Sequence, residues 1–256
     1  MKNYFDLTGD VAIVTGASSG LGVQFAKALA NQGANLALFA RREDKLKQVK
    51  ADIESEYDVK VKYYVTDVTD STKVTENVAK VIEDFGKIDI LINNAGLGDT
   101  APATETTDEQ WLRMMDVNVN SLFYMAREVG KNMKENGYGR IINLGSIHSS
   151  VALNGGALSM YTTTKGAVRN LTISLAAEWA KDGITVNAIG PAYFESEMTQ
   201  DVLANEAMAQ FITMSTPMGR PGQAGELDTA ILMFASHNSS YTTGQLLSVD
   251  GGWLTI

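Results

Sequence analysis

The chain has 256 residues, two histidines and no cysteine, and its net charge is −9. The lack of cysteine excludes disulfides and thiol chemistry and fits a reducing cytoplasm, while the acidic balance excludes a nucleic-acid partner, which needs basic patches. With 45% hydrophobic and 20% charged residues the chain can bury one large core, and no stretch reaches the ~18 consecutive apolar residues that span a bilayer.

The N-terminal MKNYFDLTGDVAIVTG lacks the apolar region of a signal peptide, because the polar TGD interrupts it. A cytoplasmic, membrane-free location is therefore expected. In chain order, VAIVT (Val11–Thr15), LALFA (Leu36–Ala40), VKYYV (Val61–Val65), IDILIN (Ile88–Asn93), RIINLG (Arg140–Gly145), ITVNAI (Ile184–Ile189) and LLSV (Leu246–Val249) read as strands. Most are continuous apolar runs, as in strands covered on both faces. Between them, GVQFAKALANQG, DKLKQVKADIESEY and TKVTENVAKVIEDFG carry the 3.6-residue apolar period of helices, and two of these end at Gly33 and Gly86. This rhythm predicts an α/β chain forming a doubly wound parallel sheet of about seven strands, with helices on both faces. Ligands of such sheets bind beyond the carboxyl ends of the strands.

The stretch TGASSGLG (Thr15–Gly22) follows the first strand and opens the first helix. Gly16, Gly20 and Gly22 permit a tight turn and close backbone approach, with Ser18, Ser19 and Leu21 between them. The helix start then offers unpaired N–H groups to a pyrophosphate. Where NAD-binding folds place an acid against the ribose 2′-hydroxyl, this chain has Ala40 followed by Arg41 and Arg42. Arginine binds a 2′-phosphate that a carboxylate would repel, which favours NADP(H). The nearby Glu43 keeps NAD(H) open.

Further marks occur in order: DVT (Asp67–Thr69), NNAG (Asn93–Gly96), Asn118 in DVNVN, Ser146 after the fifth strand, and Tyr161-T-T-T-Lys165. Together with T-G-x3-G-x-G they resemble the short-chain dehydrogenase/reductase family from about Thr8 to Trp253. The resemblance implies a single-domain Rossmann fold and reversible hydride transfer between a nicotinamide and an alcohol or carbonyl carbon. It implies Asn118, Ser146, Tyr161 and Lys165 as the catalytic set. Ser146 would bond the substrate oxygen, Tyr161 exchange the proton, Lys165 reach the cofactor ribose, and Asn118 hold a relay water. It also implies Asp67 and Val68 at the adenine, Asn94, Ala95 and Gly96 along the cofactor, and Pro191, Phe194 and Ser196 at the nicotinamide. Ala192 stands where the family usually has glycine. A homotetramer, paired through helices around Asn118–Lys134 and Tyr161–Lys181, is the implied assembly.

Residues four apart share a helix face, so Lys165 is expected to lower the Tyr161 phenol from its reference pKa of about 10. Alternative readings are a helix N-cap for Ser146, a backbone-bonding role for Asn118 at a helix break, and a solvated Lys165.

From Pro191 to about Gln223 a long connection rich in Met and Phe interrupts the rhythm and reads as a substrate-covering lid. Arg113 and Arg220 are the candidate anchors for an acidic substrate, and His148 is a candidate substrate contact. His237 reads as a helix-end residue, and two separated histidines without cysteine give no metal site. NAIGPAYFESEMT and YTTTKGAVRNLTISLAAEWA are most similar to gluconate 5-dehydrogenases and related sugar-acid or polyol dehydrogenases. 3-Oxoacyl-carrier-protein reductases and hydroxysteroid dehydrogenases share most of the pattern. A non-catalytic NADP(H)-sensing module is the non-enzyme alternative, and the retained Tyr161 and Lys165 argue against it.

Overall fold

A computed structural model describes residues 3–195 and 199–255. Seven parallel strands form one sheet: β1 (Val11–Thr15), β2 (Asn35–Ala40), β3 (Val61–Val65), β4 (Ile90–Asn93), β5 (Gly139–Leu144), β6 (Ile184–Pro191) and β7 (Leu246–Val249). Their spatial order is β3-β2-β1-β4-β5-β6-β7. The order reverses between β1 and β4, so a crevice opens there at the carboxyl ends.

Strand alternation divides the core into two layers. On β1, Ala12 and Val14 face one side and Val11 and Ile13 the other; on β2, Leu36 and Leu38 oppose Ala37 and Phe39. The first layer packs against α1 (Gly20–Asn31), α2 (Glu43–Glu56) and α9 (Asp228–Ala235). The second packs against α3 (Ser71–Phe85), α5 (Ser121–Asn136) and α6 (Ser159–Trp179). In α3 the buried Val74, Val78 and Val81 recur at helical spacing, each such burial stabilising by about 1.5–3 kcal/mol. Asp70 starts this helix by accepting the Lys73 N–H, and Gly86 ends it at φ 83°.

Several strand limits differ from the sequence expectation: β2 starts one residue earlier, at Asn35, and β5 is shifted back by one residue, to Gly139–Leu144. β4 begins at Ile90, where its register with Ala12 of β1 starts, and the Ile88 N–H ahead of it goes to the Asn132 side chain (2.9 Å). β6 continues through Gly190 and Pro191, which stay in register with Ser248 and Val249 of β7. This extension carries the chain directly to the crevice.

Between α4 (Asp108–Met115) and α5 lies one π-helical turn, Asp116–Asn120. The connection after β6 holds two short helices, α7 (Gln200–Ala204) and α8 (Glu206–Ser215). No helix among the described residues is long and apolar enough to cross a membrane.

Candidate active site

A cleft of about 1020 Å³ runs along the carboxyl ends of β1, β4, β5 and β6. At one end lies the glycine loop. Gly16 adopts φ 66°, and a Cβ on Gly22 would stand 2.3 Å from the Gly16 carbonyl oxygen, so only glycine lets α1 approach its own entry turn. Ser19 occupies the N-cap of α1 but its side chain makes no capping bond; its Oγ accepts from Arg42 Nη2 at 2.6 Å. Arg42 also donates to Ser18 Oγ from Nε (3.3 Å) and Nη2 (3.2 Å). The first turn therefore keeps N–H groups for an anion, with a guanidinium beside it.

Thr15 locks this loop to β4. Its Oγ accepts the backbone N–H groups of Asn94 and Ala95, both at 3.0 Å, while Asn94 Nδ2 donates to the Thr15 carbonyl (2.9 Å). Gly16, Ser18, Ser19, Gly20, Leu21, Arg41, Arg42, Asp67, Val68, Asn94, Ala95 and Gly96 all line the cleft. Asp67 Oδ1 is held by the Thr69 N–H (3.0 Å) and hydroxyl (2.8 Å), which fixes the carboxylate at the cleft wall. Pro191, Ala192 and Phe194 line the other end, and Ser196 lies outside the described residues. The Phe194 ring is buried against Gly222, where a Cβ would meet it at 2.4 Å.

Ser146, Tyr161 and Lys165 converge on the middle of the cleft. Ser146 follows β5 and caps a short 3-10 turn, its Oγ accepting the His148 N–H at 3.1 Å. Capping and facing the cleft are thus compatible in one side chain. Lys165, buried at 6% exposure, donates from Nζ to the Leu144 carbonyl at 2.7 Å and lies 5.6 Å from the Tyr161 ring centroid. It is no solvated surface lysine. Burial pushes its ammonium down to about 8.

One expectation needs correction. Burial pushes the Tyr161 phenol above its ordinary value, a hydrogen bond with Ser146 works in the opposite sense, and the neighbouring Tyr193 adds a smaller upward push. The Lys165 ammonium makes its hydrogen bond to the Leu144 carbonyl and not to the phenol. Its positive end is turned to a carbonyl on β5, so sharing a helix face with Tyr161 does not make it the dominant influence on the phenol.

Asn118 sits within the π-helical turn, 1% exposed. Its amide pairs twice with the Leu97 backbone, accepting the N–H (2.9 Å) and donating to the carbonyl (2.9 Å), and also donates to Thr164 Oγ (3.1 Å). A Cβ on Gly96 would lie 3.3 Å from Asn118 Oδ1 and 3.9 Å from Lys165 Nζ. Gly96 thus separates the two side chains by little more than its own backbone.

Of the two proposed anchors, Arg113 lines the cleft, whereas Arg220 forms a bidentate pair with Glu226 at 2.7 and 2.8 Å. Arg220 is already neutralised and does not line the cleft. Sequence reasoning left out Thr15 and Tyr193; Thr15 stood inside the glycine-loop stretch, while nothing in the sequence marked Tyr193. No group of three or more His, Asp or Glu among the described residues could hold a metal ion.

The family model described as Enoyl-(Acyl carrier protein) reductase matches residues 16–254. The chain belongs to the short-chain dehydrogenase/reductase family. It is accordingly an oxidoreductase acting on CH–OH groups, with the Rossmann fold. It is 41% identical over 250 residues to gluconate 5-dehydrogenase of Gluconobacter oxydans, covering 98% of this chain and 96% of the relative. To galactitol 2-dehydrogenase of Rhizobium johnstonii it is 40% identical, covering 98% of each. A gluconate 5-dehydrogenase from Burkholderia cenocepacia, solved with NADP and tartrate, superposes with a TM-score of 0.95 at 35% identity, covering 99% of this chain and 98% of that one.

Proposed function

We propose that this short-chain dehydrogenase/reductase interconverts a secondary alcohol and a ketone on a sugar acid or polyol, with NADP(H) as its coenzyme. The observation that carries the reading is the convergence of Ser146, Tyr161 and Lys165 at the middle of a cleft that ends on the Arg42–Ser18–Ser19 cluster. The gluconate and galactitol dehydrogenases it resembles supply the substrate class, and the NADP-bound relative supports the coenzyme.

The residues fit the coenzyme. The open N–H groups of α1 would receive the pyrophosphate, Arg42 and Arg41 the 2′-phosphate, and Asp67 and Val68 the adenine. Asn94, Ala95 and Gly96 would follow the chain of the cofactor, and Pro191 and Phe194 would meet its nicotinamide end. When bound, the coenzyme supplies or accepts the hydride. In the reducing direction, Ser146 donates to the carbonyl oxygen and fixes its position. Tyr161, held protonated by its burial, delivers its phenolic proton to the forming alkoxide. Lys165 would hold the ribose, and Asn118 shapes the Leu97 turn beside it, where a relay water would reach Lys165. The described parts of the 191–223 segment would cover the substrate, with α8 tied to Trp253 through Phe211 (5.9 Å) and Trp253 to Tyr193 (5.3 Å).

We further propose a cytoplasmic homotetramer formed through α5 and α6, whose faces expose Phe123 and Ile173. Light scattering giving the mass of one chain would refute the tetramer.

The deciding experiment is a screen of NADPH and NADH against keto-sugar acids, 3-oxoacyl thioesters and ketosteroids, repeated with Tyr161→Phe. The expected result is NADPH-dependent reduction of a keto-sugar acid, lost by at least about 100-fold in kcat in the variant while NADPH still binds. Unchanged turnover in Tyr161→Phe would remove the proton-transfer role.

A further inference from the structure

Beneath the reacting groups three polar side chains form a buried chain that hydride and proton transfer leave unused. Asn93 ends β4, and Asn143 stands opposite it in the register of β4 and β5. Asn93 Nδ2 donates to Asn143 Oδ1 at 2.9 Å, and Asn143 Nδ2 donates to Thr172 Oγ on α6 at 3.0 Å. The Thr172 hydroxyl gives its own hydrogen to the Val168 carbonyl at 2.8 Å, which leaves its lone pairs free to accept. All three residues are at most 2% exposed, on the face of the sheet otherwise built from Leu91, Ile141 and Val186.

Stability alone does not call for such a chain. Replacing both partners of a buried hydrogen bond by apolar groups of the same shape is nearly neutral or even stabilising. What apolar contacts lack is direction: they hold a helix against a sheet without fixing where it sits along a strand. Lys165, Val168 and Thr172 recur at i, i+3 and i+7 on the buried face of α6, so Lys165 and Thr172 stand two turns apart. Each is bonded to β5, Thr172 through Asn143 and Lys165 through the carbonyl of the next residue, Leu144. The Lys165 bond is the exchangeable one, since the same ammonium would turn to the coenzyme ribose. Asn143 and Thr172 do not line the cleft, so their bond has no competitor there.

We propose that Asn143 and Thr172 are positioning residues of the reaction: their bond fixes α6 along β5 and so holds the Tyr161 phenol and the Lys165 ammonium in place beside Ser146. Asn93 orients the Asn143 amide for this bond. The inference rests on the Ser146–Tyr161–Lys165 reading above and is independent of which ketone is reduced.

The test compares wild type with Thr172→Val, which keeps the shape and removes the hydroxyl, and Thr172→Ser, which keeps the hydroxyl. Reduction of 5-keto-D-gluconate is followed by NADPH absorbance, and folded sites are counted by NADPH fluorescence titration. Thr172→Val should still bind NADPH but lose about tenfold in kcat per site, since a misplacement near 1 Å can cost up to about 100-fold. The alkaline limb of its pH–kcat profile should also move upward, because a lysine no longer held to Leu144 meets more water. Thr172→Ser should restore most of the turnover and the wild-type limb. A Thr172→Val protein that loses stability but keeps its kcat per site and its pH limb would make the chain a packing feature and overturn the proposal. If that variant does not fold, Thr172→Ala is measured in the same way. Failure of both to fold would mean that the bond holds the fold together and not the reacting pair, and would equally overturn it. Should wild type reduce a thioester or a ketosteroid and not the keto acid, the same comparison is made with that ketone and only the sugar-acid reading falls. A wild type that reduces none of these ketones removes both.

Discussion

Arg42→Ala offers the sharpest test of coenzyme choice, because its guanidinium is already positioned. Nη2 stands 2.6 Å from Ser19 Oγ and 3.2 Å from Ser18 Oγ at the start of α1. A 2′-phosphate there would replace neutral hydroxyl acceptors with a doubly charged one. Two unit charges at 4 Å attract by about 1 kcal/mol in bulk water, and a charge-assisted hydrogen bond contributes about 1.5–3 kcal/mol. Because Arg42 is exposed, a loss near 2 kcal/mol is the reasonable figure, or roughly 30-fold in NADPH affinity. NADH lacks the phosphate and should change by less than about threefold. Nucleotide fluorescence titrations at low and high salt would read both values. The gap should narrow as salt rises, since the Debye length falls to about 3 Å at 1 M. Equal losses for the two nucleotides would mean that Arg42 merely holds the Ser18–Ser19 loop in shape, and the electrostatic reasoning would fail.

Other consequences are as direct. Gly22→Ala would place a methyl 2.3 Å from the Gly16 carbonyl, forcing α1 away from its entry turn; we expect at least about 1–3 kcal/mol of destabilisation by urea titration, together with weakened nucleotide binding. Wild-type stability and nucleotide affinity in the variant would contradict it. Lys165, pushed down to about 8 from 10.5, binds fewer protons in the folded chain than in the unfolded one between those values. Folding is thus penalised below about pH 8, and the penalty is relieved as pH rises toward 10.5, by about 3 kcal/mol in full. Urea titrations should show wild type gaining stability relative to Lys165→Met over that window, and a flat difference would refute the buried ammonium.

The sheet was readable in the sequence for a simple reason: its strands are buried on both faces, so VAIVT and LALFA stand out as unbroken apolar runs even though alternate residues serve different layers. The glycine loop was readable because steric demands at Gly16 and Gly22 admit one residue type. The π-helical turn at Asp116–Asn120 was not, since a shift to i→i+5 bonding leaves no compositional mark; what selects it is Asn118 pairing with Leu97, a contact across 21 residues. Arg220, a hint of an anchor in the sequence, is engaged by Glu226 six residues on, a pairing that only the closed turn makes.

Tyr161 and Lys165 carry this distinction furthest. Their spacing in the chain correctly put both on one face of α6, but spacing says nothing about how much water surrounds a phenol or where an ammonium points. Burial opposes charge on each of them, raising the tyrosine and lowering the lysine to about 8, so near neutral pH the phenol keeps its proton and the lysine largely keeps its own. A phenol in that state suits proton donation to a ketone. Oxidation of an alcohol needs the phenolate, which calls for positive charge that the oxidised nicotinamide can bring. The protonated phenol thus holds the proton that reduction consumes, whereas oxidation requires that proton to leave first.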